Sequence, residues 1–167
     1  MKKFFYLAVA ATMLAACNQN KPDSPEEQKK TEFAKAHFFE VLGTNTVPSE
    51  NYTQDSVRAL AYLTDEGAVI ELYGVGFSER MPLTIDMNIE GINYFRRGST
   101  SITLTGDSIA PKMAGKPVER YMITNLNGSI TPDSLVFTNN YGSYENCKFA
   151  GKVVKMAESF VILDEAE

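Results

Sequence analysis

From Ser56 onward the apolar residues recur at every second position, and that period restricts the fold more than any other feature of the chain. Leu83-Thr-Ile85-Asp-Met87-Asn-Ile89-Glu90 alternates without a fault, which gives a segment with one dry face and one wet face. Val57, Ala59, Ala61 and Leu63 share one face of an earlier strand. Asp65-Glu66-Gly67 makes a tight turn, and Ala68 to Val75 returns as its partner. Ser101 to Thr105, Arg120 to Leu126, Ser134 to Asn139 and Cys147 to Met156 continue the series, each bounded by Gly, Asn, Asp or Pro. Near Phe39 two patterns compete: Ala34, Phe38 and Leu42 fit a helix, while His37, Phe39 and Val41 alternate as a strand does. Counting that stretch there are about eight strands, joined by short turns, with no helix long enough for a crossover. A parallel βαβ architecture is thereby excluded. What remains is an all-β antiparallel meander that closes on itself or pairs into a sandwich.

The start of the chain carries an address. Lys2-Lys3 precede an apolar run from Phe4 to Ala16, thirteen residues that reach roughly 20 Å as a helix, short of a hydrocarbon core of about 30 Å. The run is a secretory signal rather than a membrane span. It ends in Leu14-Ala15-Ala16-Cys17, which resembles the lipobox of bacterial lipoproteins. That resemblance implies cleavage before Cys17, a diacylglyceryl group on its sulfur and acylation of the new amine, and several acyl chains anchor durably where one is marginal. Residues 1–16 are thus read as a lipoprotein signal peptide, 17–32 as a lipidated tether and 33–167 as the folded domain. Asn18 to Lys30 holds no aromatic, aliphatic or β-branched residue and suits a solvated tether. Within it Ser24-Pro25-Glu26-Glu27 has an N-cap, a first-turn proline and a capping-box glutamate, so a short helix begins there.

Charge and composition exclude several kinds of chemistry. Without Lys2 and Lys3 the chain has 14 basic against 21 acidic residues, a formal charge of -7, which repels phosphate backbones and argues against nucleic acid. There is one histidine, His37, and no serine sits in a nucleophile elbow, so a Ser-His-Asp or Cys-His site lacks its parts. One His and one thiol besides Cys17 cannot complete a tetrahedral metal shell, and no metal or cofactor is expected. Gly74-Val-Gly76 is no dinucleotide loop, because position 79 is Glu and no helix follows. Asp86, Asn88 and Glu90 line one polar face and could act as paired acids, although a solvated outer face explains them better. Cys147 shares a strand face with Phe149, Gly151 and Val153 and reads as a buried structural thiol.

Tyr73-Gly-Val-Gly-Phe77 and the following Met81-Pro82-Leu-Thr-Ile-Asp86-Met87-Asn-Ile89-Glu-Gly91-Ile92 resemble the bacterial calycin-like β-barrel domain found in lipoproteins of Gram-negative gut anaerobes. Tyr121-Met-Ile-Thr-Asn-Leu-Asn-Gly128-Ser-Ile130-Thr-Pro-Asp133-Ser134-Leu135-Val-Phe137 and Phe149-Ala-Gly151 are similar to that family too, so the likeness covers about residues 33 to 155. It implies a lipocalin-like up-and-down barrel of about eight strands, makes Phe38 to Leu42 the first of them, and suggests anchoring in the outer membrane. It implies no activity and no catalytic residue, and fold alone does not give function. Three triplets, Asp55-Ser56-Val57, Asp107-Ser108-Ile109 and Asp133-Ser134-Leu135, resemble the acceptor pattern for O-glycosylation of exported proteins in such anaerobes. The plainer reading is a turn whose Asp and Ser bond local backbone.

Two functions follow from these readings, neither of them enzymatic. One is a binding module whose barrel interior, lined by Leu83, Ile85, Met87, Ile89, Ile102 and Leu104, holds a small apolar or amphipathic ligand. The other is a structural or adaptor lipoprotein whose barrel is filled and whose outer surface docks an envelope protein. Eight strands enclose either a packed core or one small ligand. Arg96-Arg97 and the loop from Gly106 to Pro117, with Lys112, Met113 and Lys116, could frame a barrel mouth, the loop serving as lid or as a long hairpin connection.

Overall fold

A computed structural model of the chain describes residues 24–159. The signal peptide, Cys17, the tether as far as residue 23, and residues 160–167 lie outside the described residues. Helix α1 (Pro25–Lys35) starts where the capping box puts it: Glu27 N donates to Ser24 Oγ at 3.3 Å and Ser24 N to the Glu27 carboxylate at 3.1 Å. The second half of the stretch read as tether is therefore helical. Lys29 pairs with Asp133 across an exposed contact, and Phe33 is fully buried.

Ten strands follow: β1 (Phe38–Val47), β2 (Tyr52–Thr64), β3 (Gly67–Val75), β4 (Ile85–Arg97), β5 (Ser101–Gly106), β6 (Lys112–Met113), β7 (Lys116–Pro117), β8 (Ile123–Ile130), β9 (Ser134–Tyr141) and β10 (Tyr144–Ala157). Eight of them, all but β6 and β7, pair antiparallel with their neighbours in chain order, and β1 closes on β10. The result is a closed up-and-down barrel. Near Phe39 the strand pattern wins: Phe39 and Val41 are buried in the lumen while Phe38 packs outside against Tyr62, ring centroids 5.6 Å apart. Arg120 is not in a strand, because residues 119–121 form a 3-10 turn and β8 starts at Ile123.

The lumen is shaped by glycines where a side chain would collide with a neighbour, two of them against one aromatic ring. Gly43 and Gly151 face each other in register. A Cβ on Gly43 would stand 2.7 Å from Phe149 Cζ, and one on Gly151 3.0 Å from Phe149 Cε1 and 2.5 Å from Val41 Cγ1. Phe149 stacks on Phe137 at 5.3 Å, and a Cβ on Gly128 would come within 2.4 Å of the Phe137 Cβ and 2.5 Å of the Val136 carbonyl oxygen. In β4 the alternation shifts once: Ile85, Met87 and Ile89 point inward, then a bulge at Gly91 (φ +76°) makes Ile92 the next inward residue.

The connection between β5 and β8 is wall rather than lid. β5 has only six residues and pairs with β4 from 93 to 97, so the upper half of β4 needs another neighbour. Lys112 in β6 pairs with Asn88, and Ile109 bridges Ile123 beside β8, continuing the wall where β5 stops. Arg96 lies at the opposite end, so the two cannot frame one mouth. Its guanidinium donates to the carbonyls of Phe33, at 2.7 Å, and Ala36, and it sits over the Phe33 ring. These bonds satisfy carbonyls at the C-terminus of α1 and hold the helix across the barrel end.

Arg96→Met should release that end. Loss of two charge-assisted bonds partly exposed to water is expected to cost about 2 kcal/mol. Urea unfolding should show a lower midpoint, and amide exchange should speed up in α1 while the strands far from it stay protected.

Candidate functional site

The lumen is occupied by the chain's own side chains. Met87, Ile89, Ile102 and Leu104 point inward as expected and are at most 2 % exposed. They pack in one cluster with Phe39, Phe137, Phe149 and Tyr141. Leu83 does not belong there: it is 77 % exposed and precedes β4, in the connection 76–84. The apparent run of alternation starting at Leu83 crosses a loop end, where period carries no facing information. Ile85, the first residue of β4, is half-buried at the rim. The end away from α1 is closed by Phe77, which is fully buried against Tyr121, Tyr141 and Tyr144.

On the outside, β3, the upper half of β4 and the β6–β7 hairpin form an open polar cleft of about 300 Å³. It contains Glu71, Tyr73, Asp86, Asn88, Glu90 and Lys112. Glu71 accepts hydrogen bonds from the hydroxyls of both Tyr62, at 3.1 Å, and Tyr73. Burial, with Glu71 adding to it, raises both phenols, that of Tyr73 up to about 12. Asp86 Oδ1 accepts from Gly74 N at 2.7 Å. Glu90 accepts from Asn88 Nδ2 at 3.2 Å and from Lys112 Nζ at 2.6 Å. Each carboxylate thus holds a strand, a neighbour or the hairpin in place. An exposed pair such as Lys112–Glu90 contributes at most about 1 kcal/mol.

The three serine triplets differ in setting. Ser56 sits on a bulge inside β2 (φ +60°), not in a turn before a strand, and Asp55 accepts from Thr44 Oγ1 at 3.0 Å. Ser108 is exposed in the 107–122 connection, where Asp107 accepts from Asn125 N at 3.0 Å. Ser134 is half-buried, its N–H donating to Thr131 Oγ1 at 3.1 Å. His37 Nδ1 lies 2.9 Å from the Lys35 carbonyl and 3.2 Å from that of Glu158, as part of the helix end. Cys147 is fully buried, and burial pushes its thiol up to about 12. Among the described residues no group of three His, Cys, Asp or Glu is placed to hold a metal ion.

Sequence reading did not single out Phe77, Glu71 or the partnership of Arg96 with α1. An aromatic directly after Gly74-Val-Gly76 and outside any strand was the available signal for Phe77.

Residues 1–18 match the family model for the prokaryotic membrane lipoprotein lipid attachment site. No curated protein and no solved structure matches the chain. The chain is a lipid-anchored lipoprotein that carries a closed eight-stranded antiparallel barrel.

The two cysteines should behave oppositely. Cys17→Ser should abolish palmitate labelling and leave an uncleaved precursor; labelling at wild-type level would contradict the anchor. Cys147 should resist thiol reagents until the barrel unfolds. Its folded thiol keeps the proton to about pH 12, against an ordinary value of 9.0. The unfolded chain therefore loses the proton first, and stability should fall as pH rises from 9 towards 12. Urea midpoints across that range should show a smaller fall in Cys147→Ala.

Proposed function

We propose that this lipoprotein is a non-catalytic adaptor anchored in the outer membrane, a solid barrel whose outer wall docks an envelope protein. The observation that carries the reading is the filling of the lumen. Inward side chains from all eight long strands pack in one cluster, Phe33 shuts one end and Phe77 the other. A carrier for a chain-like apolar ligand needs that same volume, so the structure favours the filled barrel over the ligand-filled one. The outer membrane is carried over from the family resemblance. The wall itself offers Leu42 and Val154, 48 % and 58 % exposed, on neighbouring strands β1 and β10. Ser56 and Ser108 are exposed on it as well, as sugar acceptors would be.

Titration of the unacylated mature chain with fatty acids, sterols and haem should give no saturable binding. A photo-crosslinking residue at Leu42 or Val154 should capture an envelope protein in cells, and one at the interior position Phe137 should not. One-to-one binding of a fatty acid that Met87→Trp abolishes would overturn the adaptor reading in favour of an interior ligand.

A further inference from the structure

Three side chains make an apolar row on the outside of the barrel near its α1 end. Phe38 is the register partner of Tyr62 across β1 and β2, and Tyr62 is that of Val69 across β2 and β3. All three face out of the wall, because Phe39, Ala61, Ala68 and Ile70 beside them are the inward, fully buried residues. Phe38 is nevertheless only 7 % exposed, whereas Leu42, further along the same outward face of β1, is 48 % exposed. Tyr62 covers one side of the Phe38 ring. The chain leaving β10 passes beside it: Ala157 is the register partner of Phe38, the Ala157 carbonyl accepts from His37 N at 2.9 Å, and the Glu158 carbonyl lies 3.2 Å from His37 Nδ1.

An open groove of about 510 Å³ continues the row, lined by Tyr62, Leu63, Val69 and Glu71, and Ser159 also lines it. The chain thus crosses from β10 over the start of β1 and reaches the groove beside β2. The next residues in the sequence are Phe160, Val161, Ile162 and Leu163, four apolar side chains in succession, and then Asp164 and Glu165. From β1 to β3 is two strand spacings, about 10 Å, and four extended residues reach about 13 Å. Length and chemistry therefore match the groove. Alternate residues of an extended segment face the same side, which pairs Phe160 with Ile162. Glu71 marks the far limit, since its carboxylate, already accepting from Tyr62 and Tyr73, repels Asp164 and Glu165.

We propose that residues 160–163 dock in this groove as a strap across the outer faces of β1, β2 and β3, with Phe160 on Phe38 and Tyr62 and with Ile162 on Val69. The inference goes beyond the adaptor reading and does not depend on it, because the occupant belongs to the same chain. A strap there covers the β2–β3 face of the wall and leaves Leu42 and Val154 to a partner.

The test uses the mature chain, residues 17–167 with Cys17→Ser, first without lipid. Truncation after Ser159 should lower the urea midpoint by roughly 0.5 to 1 M, and Phe160→Ser should lower it by part of that. Removal of residues 164–167 alone should not lower it. A photo-crosslinking residue in place of Ile162, irradiated with vesicles of phosphatidylethanolamine and phosphatidylglycerol present, should join to β2 or β3 of its own chain. Should the truncated chain not fold, Phe160→Ser carries the midpoint comparison. The proposal is overturned if the folded variants keep the wild-type midpoint, if the crosslink goes to lipid, which would make the segment a membrane contact, or if it goes to a second copy of the chain.

Discussion

Phe149 lying flat across Gly43 and Gly151 is the contact on which the barrel depends. The two glycines face each other on the strands that close the cylinder, and any side chain on either would collide with backbone or ring. Removing two Cβ atoms lets β1 and β10 curve under the aromatic, and the aromatic in turn covers backbone that glycine leaves bare. Phe137, whose own Cβ and Cα leave no room for a side chain on Gly128, stacks on Phe149. Large rings over absent side chains consume the width of the lumen, which is why the interior is solid.

A solid interior moves the question of function to the surface and the ends. The wall of β3 and β4 is polar but not idle: Glu71 ties Tyr62 to Tyr73, and Glu90 ties the β6–β7 hairpin to its strand through Lys112. These bonds let a short β5 coexist with a long β4, since the hairpin supplies the edge that β5 does not reach. The ends are closed differently. At one, a helix is fixed by charge-assisted bonds from Arg96; at the other, a single ring from a connection sits among tyrosines. Both ends bury an aromatic ring, Phe33 at the first and Phe77 at the second, but the second is held by neutral hydrogen bonds alone.

The strand count, the antiparallel order, the Asp65-Glu66 hairpin, the Ser24 cap and the buried setting of Cys147 were legible because each follows from local chemistry: period two, turn residues, a capping box. Facing was legible only within a strand. The alternation from Leu83 looked continuous with that of β4, but residues 83 and 84 precede the strand, and beyond it Gly91 shifts the inward set from Ile89 to Ile92. Nothing local announces such a bulge except the glycine itself. The role of the 107–122 connection was hidden for a different reason. A segment that extends a wall through one two-residue strand and one isolated bridge has too few residues for a period to show. Arg96 likewise reads as a surface charge until α1 is seen to end beside it.

The placement of α1 also sets how the molecule stands on its membrane. Ser24 caps α1 at the Arg96 end, and only six residues separate it from Cys17. The seven steps from Cys17 to Ser24 span at most about 25 Å, while a 14-residue strand such as β10 runs about 45 Å along its axis. The mooring is shorter than the hull. The helix-capped end is therefore held close to the lipid headgroups, and the rim with Phe77 and Leu83, at the other end of the strands, is the part that faces away from them.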